Sequence, residues 1–449
     1  MAEIKYVCKR TVVSTKPVPP GKLHHLSVLD RAMEHNNLRL VYYYKTSKGR
    51  ETGELTRGLG ESMSEMLSSF PAVTGRLLRN AEGQWMIKCN DAGVRMVEAR
   101  AKGSVEGWLK SMDREKELKL VHWEDMYPKQ YFWSTFYVQI TEFEEGGLAI
   151  GLSCIHLLAD PTCAAVIVKA WADTTLGGKM INPPFFHPLP PRRPGNRNIN
   201  HKLYTDLIDH YKSSMMKSFP TTTTASTTIT LAFSDEMVQS CIAMAQTLDV
   251  PGGLVLSPFE VLAGLFWVCV SNAKGITNGL TSMSLCLDMR KVLGLDKGFF
   301  GNCSVYNRVY GECLELENRL AKAAFAVRAV VRKMDVEGTM DLIEWLEGTP
   351  GWSPPYMNAY DLICTNFDGV DPYLAIFEDS FKPVHVSCYI EPALGQGQVL
   401  ILPSPPNEGT LSRVVMVTLP EDEITRLCED ELLLQFNPTI LMGLNKNQV

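Results

Sequence analysis

The stretch Gly147-Leu148-Ala149-Ile150-Gly151-Leu152-Ser153-Cys154-Ile155 constrains this chain more than any other. It is an apolar run too short to cross a bilayer, and it follows the turn signal Glu144-Glu145-Gly146-Gly147. That is the profile of a buried strand. The run stops at His156, and Asp160-Pro161 then opens a helix running through Thr162 and Ala164 to Ala172. Asp before a Pro at the first helical position is a strong start signal, because the carboxylate accepts an orphan N–H and Pro carries none. His156 therefore stands where a buried strand breaks open, four residues before a helix. Two readings fit it: a core histidine bonded to a backbone carbonyl, or a general base at the mouth of a cleft. For Asp160 the plain reading is a helix cap.

The neighbouring segments suggest a sheet with helices packed on it. Phe136 to Phe143 alternate as a strand that can hairpin into 147–155. Strands are also expected over residues 5–14, 38–44, 85–89 and 94–99, rich in aromatic and β-branched side chains. Leu55, Leu59, Met63, Met66, Leu67 and Phe70 recur at three- and four-residue steps, predicting an amphipathic helix over 54–70 that Pro71 stops. From about 174 to 225 the texture changes: residues 182–195 are dense in Pro, and Thr221 to Thr224 add a low-complexity patch. This stretch reads as a crossover between domains; the plain alternative is one long surface loop within a single domain. Beyond it, Ser257-Pro258-Phe259-Glu260 is a capping box opening a helix that buries Leu262, Phe266, Trp267 and Val270. Met283 to Asp288 predicts a strand delivering Asp288 and Arg290 to its end, and 315–334 a helix. Gln398 to Leu402 and Arg413 to Leu419 are the clearest late strands. The expectation is an α/β protein of two domains around a shared cleft, divided as 1–180, a crossover loop over 181–225, and 226–449.

Composition removes several function classes. Over 449 residues, 45% hydrophobic and 21% charged content describe a globular chain with room for two cores. A net charge of −6 argues against nucleic acid as the main partner. No apolar run of bilayer length occurs, and Met1 to Cys8 holds no secretory apolar core. Twelve Cys are scattered without C-x-x-C or zinc-ligand spacing. They read as reduced thiols of a cytoplasmic protein.

Several landmarks in order resemble the BAHD family of acyl-CoA-dependent acyltransferases across nearly the whole chain. His156 and Asp160 match the family's H-x-x-x-D, with Gln139, Thr141, Phe143, Gly146 and Gly147 as lead-in and Trp171-Ala172 as exit. Pro71 with Gly75-Arg76-Leu77 resembles its P-x-x-G-R-L segment. Ser257 to Trp267, Asp288-Met289-Arg290, Phe300-Gly301-Asn302 and Leu402-Pro403-Ser404 with Gly409 are similar to later landmarks.

The resemblance implies two similar chloramphenicol-acetyltransferase-like domains of mixed sheet plus helices, joined by a long crossover, with a channel between them. It implies acyl-CoA as co-substrate, no tightly bound cofactor or metal, and a small-molecule acceptor carrying a hydroxyl or amine. His156 would be the general base. Thr365 would donate to the oxyanion, since Thr365-Asn366-Phe367 stands where the family has a Thr-Ser-Trp-like segment; the plain reading is a strand Thr. Asp160 would pair with Arg290 and hold His156 in place. Two departures stand out. Pro161 replaces a usual Gly, and the family's D-F-G-W-G segment is absent, its place reading Ile376-Phe377-Glu378-Asp379-Ser380-Phe381. With Cys89 to Ala99 and Asn366-Phe367-Asp368, that loss is most similar to the eceriferum wax-biosynthesis subgroup. Membership there implies an alternative: a non-catalytic partner of a fatty-acid elongase condensing enzyme, peripheral at the endoplasmic reticulum, serving very-long-chain acyl synthesis.

Overall fold

Capping and turn residues set where the elements begin and stop. The computed structural model describes residues 4–45, 53–124, 134–192, 202–218, 225–246, 255–310, 318–378 and 382–443. In chain order the strands are β1 (Ile4–Val12), β2 (Leu23–His25), β3 (Asn37–Tyr44), β4 (Arg76–Arg79), β5 (Trp85–Lys88), β6 (Val94–Ala101), β7 (Phe136–Phe143) and β8 (Leu148–Ile155). They continue as β9 (Ser226–Phe233), β10 (Met283–Asp288), β11 (Ser304–Val309), β12 (Leu362–Asn366), β13 (Pro383–Glu391), β14 (Gln398–Pro403), β15 (Arg413–Pro420) and β16 (Thr439–Met442). The first helices are α1 (Val28–Arg31), α2 (Glu54–Leu67), α3 (Val105–Ser111), α4 (Arg114–Leu118), α5 (Pro161–Gly177) and α6 (Lys202–Met215). The rest are α7 (Asp235–Ala245), α8 (Pro258–Ala273), α9 (Arg319–Lys333), α10 (Val336–Gly348), α11 (Glu421–Cys428) and α12 (Glu431–Leu434). None of the described helices is long and apolar enough to cross a membrane.

The chain divides into two units. The first comprises Met1–Leu189, Leu295–Cys303 and Asp371–Glu391. Its main sheet has the order β1-β6-β7-β8-β3-β13, with only β6 and β7 parallel. The expected hairpin of β7 and β8 turns through Gly146 and Gly147, whose φ values of 103° and 108° a side chain would resist. All eight residues of β8 are buried, as a strand covered on both faces requires. A Cβ at Gly151, in its middle, would lie 1.9 Å from the Leu120 carbonyl oxygen, so glycine lets the 120–121 backbone cross there. Asp160, with φ −86° and ψ 175°, caps α5, and Gly178 at φ 70° ends it. Packing of α5 on α2 is keyed by Trp171, whose indole N–H donates to the Leu59 carbonyl at 3.0 Å.

A late segment completes this unit. Strand β13 pairs antiparallel with β3, in a register that sets Cys388 opposite Leu40. Ahead of it, Phe377 is 1% exposed and meets Trp171 and Tyr44 edge-on, with ring centroids 4.9 and 5.6 Å away. The Tyr44 hydroxyl donates to the Ala375 carbonyl at 3.0 Å. The residues standing where the family has D-F-G-W-G thus dock by an aromatic anchor as far as Glu378; 379–381 lie outside the described residues.

The second unit comprises Pro190–Gly294, Ser304–Val370 and Pro392–Val449. Its sheet has the order β11-β10-β12-β14-β15-β9-β16, with β10, β12 and β14 parallel and the other pairs antiparallel. The capping box expected at Ser257 is present: its hydroxyl accepts the Glu260 N–H at 3.2 Å, and the Glu260 carboxylate accepts the Ser257 N–H at 2.7 Å. Helix α8 is buried nearly all round, which makes it a core helix.

The observed division departs from the expected one in three respects. The first unit runs on to Leu189, and two later segments, 295–303 and 371–391, also belong to it, so 226–449 is not one body. The reason is non-local pairing: β13 finds its partner more than 300 residues back along the chain. The stretch expected as a crossover loop also carries α6, whose buried Leu207, His210, Tyr211 and Ser214 share one face. In the Pro-dense run, Arg192 is tied to α10 by Glu337 at 2.6 Å, Glu344 at 2.8 Å, and Asp341. Helix α2 stops at Leu67, three residues short of its predicted end, and closes with i→i+3 bonds at 68–70. Residues 315–317 and Thr221–Thr224 lie outside the described residues.

Two substitutions test this packing. Gly151→Ala should destabilise the protein by about 1–3 kcal/mol or more, because the added methyl meets backbone that must shift. Phe377→Ala should cost about 3–5 kcal/mol, as expected for a fully buried aromatic. Urea unfolding midpoints measure both; a midpoint within error of wild type would contradict the corresponding contact.

Candidate active site

Strand β8 ends at Ile155, and the His156 N–H donates to the Asn36 carbonyl at 3.0 Å, which fixes the backbone where the ring leaves the sheet. The imidazole is 1% exposed. Its Nδ1 lies 2.8 Å from Oδ1 of Asn302. The Asn302 Nδ2 donates to the His156 carbonyl and to Oδ1 of Asp30, both at 2.8 Å. Both of those neighbours only accept, so the amide is oriented with its NH2 toward them and its oxygen toward the ring. This network assigns the proton of His156 to Nδ1 and leaves the lone pair on Nε2.

Burial pushes the His156 pKa below its usual value; the charge of Asp160, a hydrogen bond of the ring to its own backbone, the bond to Asn302 and the charge of Asp30 act against this without reversing it. The ring is therefore neutral at pH 7, as a base must be.

Asp160 is 1% exposed and does not bond the ring nitrogen. Its Oδ1 accepts the Cys163 N–H at 2.9 Å as the cap of α5, and its Oδ2 accepts the Cys303 N–H at 3.0 Å. It holds the residue next to Asn302. Cys163 holds the residue on the other side, taking the Gly301 N–H at 3.3 Å and reaching the Gly301 carbonyl at 3.5 Å. The structure thus brings His156 and Asp160 together through the 301–303 segment.

The two other expected site residues belong to the second unit. Arg290 donates from Nη1 to Asp288 at 2.7 Å, and its backbone N–H to the same carboxylate at 2.8 Å. Thr365 sits in β12 between Cys286 and Leu400, 4% exposed, and its hydroxyl has no partner among the described residues.

Sequence reading missed Asn302 as a ring partner and Asp30 altogether. Ser27 and Asp30 stand at capping-box spacing, a signal that would have marked Asp30, although only as a cap. A Ser–His–Asp set also occurs in the second unit, with other roles. The Ser284 hydroxyl donates to Asp361 at 2.7 Å, so it has no proton left for His210, 3.2 Å away. Asp361 is also forked by Arg308. That is a structural cluster and not a nucleophile with its base.

Burial lowers His210 and His385 from 6.5 to about 4, worth on the order of 3 kcal/mol per ring. A histidine depressed in the folded state stabilises the protein above its unfolded pKa, and that contribution is lost as pH falls toward the folded one. Buried Glu117, raised by desolvation and bonded by Tyr43 and Tyr389, has the opposite slope. The urea midpoint should therefore fall between pH 6.5 and pH 4, and His385→Gln should flatten the fall. A midpoint constant across that range would contradict neutral buried rings.

The chain is similar to known proteins over nearly its whole length. A family model described as the Transferase family matches residues 2–433. The chain is 26% identical over 426 residues to Protein ECERIFERUM 26-like from Arabidopsis thaliana, covering 93% of this chain and 92% of that protein. It is 28% identical over 433 residues to rosmarinate synthase from Plectranthus scutellarioides, covering 93% and 96%. The fold is similar to that of F. sporotrichioides TRI101, solved with coenzyme A and T-2, at a TM-score of 0.72 and 14% identity over 94% of this chain and 100% of that one. The chain belongs to this transferase family, the BAHD acyltransferases.

Proposed function

We propose that this acyltransferase moves the acyl group of a CoA thioester to an acceptor hydroxyl or amine, with His156 as general base. The observation that carries the proposal is the bond from His156 Nδ1 to Asn302, which leaves a neutral Nε2 able to accept a proton. As the acceptor atom attacks the thioester carbonyl, Nε2 takes its proton. The tetrahedral adduct then collapses, the C–S bond breaks, and the departing CoA sulfur takes that proton back. General base catalysis of this kind contributes about 10²–10⁴-fold. Thr365 is the proposed oxyanion donor, supported by a hydroxyl with no other partner among the described residues; such a donor is worth roughly 10²–10³-fold. Pairing of Asp160 with Arg290 is likewise proposed from the resemblance. CoA as co-substrate is supported by the coenzyme A bound in the TRI101 structure.

A second reading, the non-catalytic elongase partner acting at the surface of the endoplasmic reticulum, is favoured by the ECERIFERUM relatives, by the absent D-F-G-W-G segment and by the 1% exposure of His156. One experiment separates the two. The purified protein and His156→Ala are assayed for CoA release with aromatic and long-chain acyl-CoA donors across alcohol and amine acceptors. Both forms are also expressed in a line whose wax chains are shortened. The base reading expects turnover that falls by about 10²–10⁴-fold in His156→Ala. Turnover that survives in His156→Ala rejects the base, and full restoration of chain length by His156→Ala selects the elongase partner.

A further inference from the structure

Asp30 is 3% exposed, and both of its carboxylate oxygens are engaged. Oδ2 accepts the Ser27 N–H at 2.7 Å and closes the capping box of α1, whose other half is the Asp30 N–H on the Ser27 hydroxyl at 3.1 Å. Capping needs no more than that. Oδ1 accepts twice from Asn302, from its backbone N–H at 2.7 Å and from Nδ2 at 2.8 Å. The second oxygen thus serves a residue 272 positions away, the one that holds the His156 ring.

We propose that Asp30 is a positioning residue for acyl transfer, acting through the Asn302 side chain to fix the orientation and the Nδ1 proton of His156. The proposal rests on the reading of His156 as the base.

The argument concerns an amide that has two orientations. Turned by 180°, Asn302 would present its NH2 to Nδ1 of His156. That would favour the tautomer protonated on Nε2, which cannot take a proton from the acceptor. The same turn would set the amide oxygen against the Asp30 carboxylate and the His156 carbonyl, two contacts between acceptors in a buried site. Leaving such groups without donors costs about 1–3 kcal/mol each. The carbonyl alone opposes the turn weakly; the carboxylate adds a charge that can only accept. An Asn at position 30 would not substitute. Its amide has one oxygen, yet the Ser27 N–H on one side and the two Asn302 donors on the other each need an acceptor. One side would face an NH2.

The arrangement does for the ring what a directly bonded carboxylate does in a Ser–His–Asp triad, with an amide interposed. The charges that bear on the ring are those of Asp160, at the start of α5, and of Asp30, ahead of β3. Both make it more basic.

The test uses full-length protein labelled with ¹⁵N-histidine. Two-bond ring correlations report the tautomer, and the His156 signals are assigned by their loss in His156→Ala. Wild type should show Nδ1–H. In Asp30→Asn and in Asn302→Ala, the signals should move toward Nε2–H or to a mixture. Ser27→Ala, which removes a capping bond and leaves the Asn302 contacts, should keep the wild-type pattern.

In the CoA-release assay, Asp30→Asn should lose about 10² in kcat at unchanged KM for acyl-CoA. The acid limb of its kcat/KM profile should move to lower pH, because a ring without its nearby negative charge is less basic. A cap alone would move neither. Retained Nδ1–H in both Asp30→Asn and Asn302→Ala would overturn the proposal, as would Ser27→Ala perturbing the ring as much as Asp30→Asn. Should Asp30→Asn fail to fold, the tautomer in Asn302→Ala decides. Turnover surviving in His156→Ala would reject the base reading, and the ring correlations would still report on Asp30.

Discussion

One buried amide organises this site. Asn302 is fully buried, and its side chain has an acceptor facing its donors and a donor facing its oxygen. A buried polar network satisfied to this extent is stiff, since every alternative arrangement leaves a desolvated group unpaired. Its neighbours are held in the same way. Gly301 is bonded by Cys163 and Cys303 by Asp160, so three successive residues are fastened by three different side chains. The segment Leu295–Cys303 departs from the unit that surrounds it in sequence and joins the first. The hydrogen bonds on 301–303 supply the reason: their partners are Asp30, His156, Asp160 and Cys163, all in the first unit.

This changes what the H-x-x-x-D spacing means physically. Its histidine and its aspartate do not bond each other's functional atoms. Asp160 caps the following helix with one oxygen and secures Cys303 with the other. Its effect on His156 has two parts: a charge that raises the ring pKa, and the placement of the segment that carries Asn302. Four residues is the spacing that lets a strand end, a short turn and a helix cap follow one another, with Pro161 at the first helical position making the start rigid.

Local features were legible in the sequence for local reasons. The apolar run of β8, the Gly146-Gly147 turn, the Asp160-Pro161 cap and the Ser257–Glu260 capping box each state their structure within a few residues. The pairing of β13 with β3 is not local; nothing in Pro383 to Glu391 says which of many strands it will join. Helix α6 went unread because one of its buried positions is a histidine and another a serine, which break the apolar period. Gly151 stood inside a strand run with no sign that backbone crosses it. Of the site, His156 and Asp160 were visible because a motif and a structural break coincide there. Asn302 was visible only as part of a landmark, since its role depends on which way an amide faces.

Burial acts on His156 in two ways. Removing the ring from water disfavours its charged form and so lowers the pH at which it loses its proton. The same desolvation makes the bond at Nδ1 costly to break and therefore a reliable orienting device. The missing glycine-rich segment does not reach this balance. Its described replacement acts at Trp171 and Tyr44, where Phe377 supplies edge contacts and Ala375 a carbonyl. The side chains that orient His156 come instead from the start of α5, from Asp30, and from 301–303. Loss of the motif is a change in how the late segment docks on α5 and β3. It leaves the partners of the His156 ring in place: Asn302 at Nδ1 and, behind it, Asp30, neither of which belongs to the altered segment.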